Sequence, residues 1–378
     1  MIKINYPEKI DYKKKYSEPI LSKKGKINEI NNLLKEYNIG KTFDELLLMP
    51  INELINISKI SIDEIKIKNP KLNEEDLKKK KDSIENLFDY KGFQKNQLSN
   101  FFMNHFPESK SCYYCNLDYI NTFIDFKNEY TDKFDLINNF KSIDELELID
   151  RIKKIRANKI AKLKGKILNE DDFNRELKSE TGIKNILNDL FDKNGEIKFE
   201  KIKTHNHFTL DHLLPQADYP HLSLSLYNLV PCCYACNSKF KKEKELHTNF
   251  IDLICISPTS IDYDLDILTN FNIFYNENFN SYNLPNTIDE YKIELNSKYK
   301  KYIETLKLQG RYNSHKNKSF EMIENRKKYS DSQIREIAKL LGRDEQSIKE
   351  DIFGKECFQS NNEPFEKYKQ DIAQQLNL

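Results

Sequence analysis

The chain has 378 residues and a mass of 45.0 kDa, room for two or three domains of about 100–200 residues each. With 61 Lys and Arg against 60 Asp and Glu, the formal charge is +1, which excludes a polycation, so any basic binding face must be local. The 23 Phe and 21 Tyr can build a core, which argues against a wholly disordered chain, and the 9 glycines form neither GxGxxG nor GxxxxGKS, which excludes Rossmann and P-loop nucleotide enzymes as far as motifs can.

Residues 1–26 are basic and irregular. Residues 27–105 are expected to be helical, with Ile30, Leu33, Leu34 and Tyr37 at the i, i+3, i+4, i+7 spacing of one buried face. Residues 117–121 (LDYIN) are expected to form a short strand. Helical patterns return from about 125 to 200, where Ser142 and Glu145 form a capping-box pair ahead of Leu148, Ile152 and Ile155. Strand character resumes at His205–Leu210. Leu229–Cys233 is apolar, and Ala235–Glu245 is expected to be a polar helix. Ser330 and Gln333 cap a later helix that Gly342 stops. No apolar run approaches the roughly 20 residues of a membrane helix, and the opening MIKINYPEKIDYKKKY lacks the apolar stretch of a signal peptide. No membrane partner is expected. An odd number of cysteines, 7, fits a reducing cytoplasmic setting with metal binding or free thiols rather than a disulfide framework.

Two CxxC units stand out, Cys112-Tyr-Tyr-Cys115 and Cys233-Tyr-Ala-Cys236. Each can offer two thiolates to one metal, and together they complete the tetrahedral shell of a structural Zn²⁺. The long gap between them is tolerable because loop-closure cost grows only logarithmically with length. The bland alternative is two unrelated buried pairs. Cys232, Cys255 and Cys357 are expected to be ordinary thiols.

Five of the 7 histidines, His205, His207, His212, His221 and His247, fall between positions 205 and 247. The sharper feature is Asp211-His212 at the end of a strand and ahead of Pro215. There a carboxylate can hold a divalent ion while the imidazole takes a proton from water. His207 is more readily a hydrogen-bonded strand residue, and His221 and His247 are expected on the surface or in loops. Asn228 precedes the second cysteine pair. Asn237 follows it, where its amide oxygen can serve as a hard ligand for Mg²⁺. Lys239, Lys241, Lys242 and Lys244 either meet phosphates or form a solvated helix face.

CYYCN (112–116), LDHLLP (210–215), YPHLSLSLYNLVP (219–231) and CCYACNSKFK (232–241) together resemble the HNH endonuclease family, its zinc-ribbon-stapled members in particular. The resemblance implies an α+β fold: a mostly α-helical chain around a small ββα-metal core stapled by a four-cysteine zinc site. It implies His212 as general base, Asp211 and Asn237 as ligands of a catalytic Mg²⁺ or Mn²⁺, and Asn228 as the residue orienting the loop of the base. Cys112, Cys115, Cys233 and Cys236 would hold structural Zn²⁺, and the reaction would be phosphodiester hydrolysis, with DNA the favoured substrate. Family members often have a couple of dozen residues between the first CxxC and Asp-His, whereas here residues 116–210 intervene. The expected organisation is therefore an N-terminal helical region (1–105), a nuclease domain (106–257) with a helical insertion at about 122–203, and a C-terminal helical region (258–378). The alternative is that the first CxxC is unrelated.

Between 151 and 166 stand Arg151, Lys153, Lys154, Arg156, Lys159, Lys162, Lys164 and Lys166 with no acidic residue. Such a stripe can neutralise several phosphates, or it can be a solvated lysine-rich helix. With Lys239, its first five members are the candidate nucleic-acid contacts. Chain length and the closing EPFEKYKQDIAQQL (363–376) resemble HNH effector nucleases of bacterial anti-phage defence of the Septu and retron-associated type. That resemblance implies an ATPase or another defence-system protein as partner. Two other readings are a non-catalytic zinc-ribbon nucleic-acid binder and a partner-dependent subunit of a defence complex.

Overall fold

The computed structural model describes residues 3–6, 10–106, 110–124, 130–140, 142–143, 146, 152–191, 204–263, 269–280 and 282–378. Glu145, Leu148 and Arg151 lie outside them. Among the described residues the fold mixes helices with three two-stranded pairings, β1 (Thr122–Ile124) with β2 (Thr204–Asn206), β3 (Thr209–His212) with β4 (Leu229–Cys232), and β5 (Asn270–Phe274) with β6 (Lys292–Asn296). Among the described residues no helix is long and apolar enough to cross a membrane. The chain forms two compact units, residues 1–121 with 206–378, and residues 122–205.

In the larger unit the N-terminal residues are helical, and local chemistry sets where the helices start. The Thr42 hydroxyl and Glu45 form a capping box at Phe43–Leu48. Asn73 accepts from the Asp76 N–H to open Glu74–Phe88, whose first turn carries Glu74, Glu75 and Asp76 against the positive end of the helix dipole. In Lys24–Glu36, Ile30 and Leu34 are buried, Leu33 is partly buried, and Tyr37 follows buried at the C-cap. Ser330 and Gln333 cap Asp331–Leu341, and Gly342 ends it at φ 63°, where a side chain would be strained.

These N-terminal helices roof the loop that joins β3 to β4. Tyr16 Oη donates to Leu224 O at 2.7 Å, Tyr12 and Tyr227 hydroxyls lie 2.9 Å apart, and Ile60 N donates to Asp218 O at 2.9 Å. The roof buries His221 completely, and His247 is also buried. Both keep the loop positions expected of them, but they are buried rather than at the surface, and for His221 the roof of N-terminal helices is the reason. The C-terminal part carries the β5–β6 hairpin, with Phe271 opposite Leu295 and Ile273 opposite Ile293 on its buried face. Helix Glu366–Gln375 closes the free edge of β5: Asp371 accepts from Phe271 N and Gln375 from Ile273 N.

Residues 117–121 are not a strand. The chain turns through Asn116 at φ 51° and pairs Tyr119 with Ser111 in a single bridge, and regular pairing starts only at β1. The helix expected over 235–245 is a π-helical turn, Ala235–Lys241, halted by Lys242 at φ 49°.

The unit of residues 122–205 has its own core of Leu136, Ile137, Phe140, Phe173 and the apolar face of Thr181–Leu190, in which Ile183, Ile186, Leu187 and Leu190 recur at helical spacing. Helix Lys154–Ala161 lies in this unit. It buries Ala157 and Ile160 and exposes Lys153, Lys154, Arg156 and Lys159; Ile155 is exposed too.

Candidate metal centre and adjoining cleft

Residues 111–119 fold back on themselves. Asn116 N donates to Cys112 O at 2.8 Å and Cys112 N to Asp118 O at 2.9 Å, so Cys112 and Cys115 project from one tight turn. The second pair begins where β4 ends and the turn Ala235–Lys241 starts. Across 121 positions of sequence, Cys233 N donates to Cys112 Sγ at 3.3 Å. The four sulfurs of Cys112, Cys115, Cys233 and Cys236 are buried and all lie within 4.8 Å of one another. Cys115 and Cys233 Sγ are 3.9 Å apart. A tetrahedral Zn–S₄ site with bonds of about 2.3 Å needs sulfur–sulfur edges of about 3.8 Å. The group can therefore hold one metal ion such as zinc. Cys232 faces away and contacts Thr209 Oγ1 at 3.8 Å.

Arg311 completes this centre. Its Nη1 donates to Cys236 Sγ at 3.2 Å, and its Nη2 to Cys115 Sγ at 3.4 Å and to Asp118 Oδ2 at 2.8 Å. Burial works against the guanidinium charge, but the two sulfurs and Asp118 hold it more firmly protonated than a free arginine. Burial likewise opposes ionisation of Cys115, yet its cysteine neighbours and Arg311 hold that thiol well below its ordinary range. Sequence reasoning missed Arg311: it stands 75 positions beyond Cys236, with no motif around it. The closing stretch also reaches this turn, since Asn116 Nδ2 donates to Glu363 O and Phe365 N to Asn116 O.

Next to the cysteines, β3 and β4 run antiparallel with Asp211 opposite Val230 and His212 opposite Leu229. A cleft of about 330 Å³ is lined by Asp211, His212, Asn237, Lys241, Lys81 and Glu85, among others. The structure thus brings together three sequence-predicted residues, Asp211, His212 and Asn237, on one cavity. Asn228 stands behind it, fully buried. Its Oδ1 accepts from Leu214 N at 2.7 Å, and its Nδ2 donates to Leu214 O and Leu222 O at 3.2 and 3.0 Å. One amide thereby ties the two ends of the β3–β4 loop together.

His212 Nε2 lies 3.0 Å from Ser223 O in that loop. A carbonyl can only accept, so Nε2 carries the proton and the neutral ring presents its lone pair at Nδ1. Tyr90 packs on the imidazole edge-on at 4.5 Å between ring centres. Burial pushes the His212 pKa down to about 4, and the Ser223 bond and Asp211 oppose that only in part. The ring is therefore neutral at pH 7 and can accept a proton.

Asp211 is buried and doubly engaged. Tyr114 Oη donates to its Oδ2 at 2.6 Å, and the Lys241 ammonium stands 3.0 Å from each of its oxygens. Asn237 Nδ2 donates to Thr209 Oγ1 at 3.0 Å and to Leu210 O at 3.4 Å, bonds that leave its Oδ1 uncommitted to them. Asn237 and Lys241, four residues apart, share one face of the turn. Lys239 is exposed on it. Of the basic stripe, Lys159 pairs with Glu180 at 2.6 Å and Lys164 Nζ donates to Phe140 O at 2.8 Å. His207 is exposed, with Nδ1 3.2 Å from Asn121 Oδ1. Lys241 and Tyr114 were further misses as partners of Asp211. Tyr114 sits inside the first CxxC, a position that brings it to β3 once the sulfurs meet.

No protein-family model matches the chain, and neither the curated proteins nor the solved structures contain a match.

Proposed function

We propose that the chain is a metal-dependent endonuclease of the HNH type. The observation that carries the reading is the convergence of Asp211, His212 and Asn237 on one cleft beside the four-cysteine centre. In this reading β3, β4 and the turn after them make the ββα-metal core. Asp211 and the Asn237 amide oxygen would hold Mg²⁺ or Mn²⁺, which supplies Lewis-acid stabilisation of the pentacovalent phosphorus and the leaving oxygen. His212 Nδ1 takes a proton from water as the water oxygen bonds to phosphorus and the P–O3′ bond breaks. Ser223 O steadies the imidazolium that results. Asn228 keeps that carbonyl in place by binding both ends of the loop. Cys112, Cys115, Cys233 and Cys236 hold Zn²⁺ for structure only.

Nucleic acid, DNA by preference, is the substrate. The exposed Lys153, Lys154, Arg156 and Lys159, and Lys239 on the cleft's own turn, are the proposed phosphate contacts; such contacts position the strand without reading its sequence. An anti-phage effector role, with an ATPase or other defence protein as partner, rests on the resemblance of chain length and of residues 363–376 alone. Plasmid incubated with the protein and Mg²⁺ or Mn²⁺ tests the activity. Nicking or linearisation that EDTA abolishes and His212→Ala loses is the expected result; intact plasmid with every metal, partner genes co-expressed or not, removes the enzyme.

One observation favours a second reading. Tyr114 and Lys241 already satisfy the Asp211 carboxylate, as in a purely structural ion pair. A zinc-dependent nucleic-acid binder would need nothing more. It would retard DNA in a gel and leave it uncut.

A further inference from the structure

Asp211 and Lys241 are both buried, and the ammonium donates to Asp211 Oδ1 at 3.0 Å and to His212 O at 2.9 Å. The carboxylate assigned above to a divalent ion thus already has a cation. A metal bound to the same carboxylate would stand close to that ammonium, and like charges so near each other repel strongly where little water screens them. Lys241 is placed to leave. It is the last residue of its turn, and the backbone changes hand at Lys242 immediately after it. Its four-carbon stem is flexible. It lines the cleft, whose walls also carry Glu85 and Glu243 as alternative anionic partners.

We propose that Lys241 is a resident counter-ion which a divalent cation must displace from Asp211, and that the displaced ammonium swings into the cleft to meet the anionic substrate. The proposal rests on the metal-dependent reading of the site. With the ammonium in place the buried carboxylate is neutralised, so the fold does not need the divalent ion. The same neutralisation weakens divalent binding. Lys241 therefore sets how much free metal is required before the cleft is loaded.

The test uses the full chain with its four-cysteine centre filled to one zinc per molecule. Mn²⁺ is titrated by calorimetry into the wild type, Lys241→Met and Asp211→Asn. Lys241→Met is expected to bind at least about tenfold more tightly than the wild type, the effect of removing a neighbouring unit charge, and Asp211→Asn to lose the site. Because Lys241→Met breaks a buried ion pair and can weaken the fold, the wild type is also methylated reductively with formaldehyde and cyanoborohydride with and without Mn²⁺. Mass spectrometry should find Lys241 protected without Mn²⁺ and modified when Mn²⁺ saturates. Equal affinities, or protection that persists at saturation, overturn the proposal. Plasmid cleavage separates it from the nuclease reading: cutting with unchanged affinity removes only the role of Lys241, and tighter binding without cutting removes only the nuclease. No Asp211-dependent Mn²⁺ binding in any protein overturns both.

Discussion

Tyr114, a residue between two sulfur ligands, donates its hydroxyl to Asp211 Oδ2 at 2.6 Å, so the cysteine centre and the cleft share one hydrogen bond. Burial, with Asp211 beside it, holds the Tyr114 phenol well above its ordinary pKa, and it stays a donor at any working pH. Tyr302 in turn donates to the Tyr114 carbonyl. Whatever positions Cys112 and Cys115 therefore also positions the carboxylate.

Tyr114→Phe separates those roles. It keeps every sulfur but takes the hydroxyl donor from Asp211 Oδ2 and leaves the buried carboxylate to Lys241 alone, a loss of about 1–3 kcal/mol. Urea unfolding should register that loss, while elemental analysis still finds one metal ion per chain. A variant as stable as the wild type would show that the hydroxyl holds nothing.

Cys232 and Cys233 are adjacent and both buried, yet only Cys233 faces the other sulfurs. Cys233→Ser should lose the metal and lower the melting temperature sharply, because a structural zinc site contributes folding energy directly. Cys232→Ser should keep one metal per chain and melt close to the wild type. Metal content after dialysis against EDTA, read beside thermal melts, distinguishes them; loss of metal in Cys232→Ser would mean that the ligand set is wrongly drawn.

The parts of the site legible from sequence were those whose spacing has a physical meaning. Two CxxC units meet because each presents two sulfurs from one turn, and the structure gathers all four. The caps at Ser330 and Gly342 followed from side-chain hydrogen bonding and left-handed backbone preference, both local effects. What stayed hidden depends on tertiary packing. Arg311 reaches Cys115 across 196 positions. Lys241 looked like one lysine among four on a polar helix, and only the widened turn and the buried Asp211 distinguish it. His221 looked like a loop histidine because nothing in its own segment announces the helices that cover it.

That buried histidine has a consequence for acid stability. His221 is fully covered, and burial pushes its pKa down to about 3. Unfolded, the same group titrates near 6.5. The unfolded chain therefore binds the proton first. The stability that the neutral ring contributes is complete above about pH 6.5 and is lost as pH falls toward 3. At pH 5 linkage gives a loss of about 2 kcal/mol from this one group. His221→Leu cannot take the proton, so its stability should fall less between pH 7.5 and pH 5 by about that amount. Parallel denaturant titrations at the two pH values decide it; equal pH slopes in both proteins would place the acid sensitivity elsewhere.

Asn228 offers the sharpest test of how the β3–β4 loop serves His212. Its side chain makes three bonds to the backbone of Leu214 and Leu222, all in a fully buried setting. Ser223, the residue after Leu222, supplies the carbonyl that fixes the His212 tautomer. Asn228→Ala removes the three bonds and leaves one N–H and two carbonyls to find other partners, at about 1–3 kcal/mol for each that fails. The sulfurs, Asp211 and Lys241 are untouched. In the proposed nuclease, kcat should fall at least about tenfold, since a base held loosely spends less time aimed at the water. KM and zinc content should stay near the wild-type values, because neither the phosphate contacts nor the metal centre depends on this amide. Asn228→Asp keeps the acceptor to Leu214 N but sets a buried carboxylate against two carbonyl oxygens, so it should fold less well than the alanine variant. Cleavage rates of Asn228→Ala equal to those of the wild type would show that the loop is held by its roof of N-terminal helices, with Tyr16 on Leu224 O as its anchor, and that the amide is dispensable to the base.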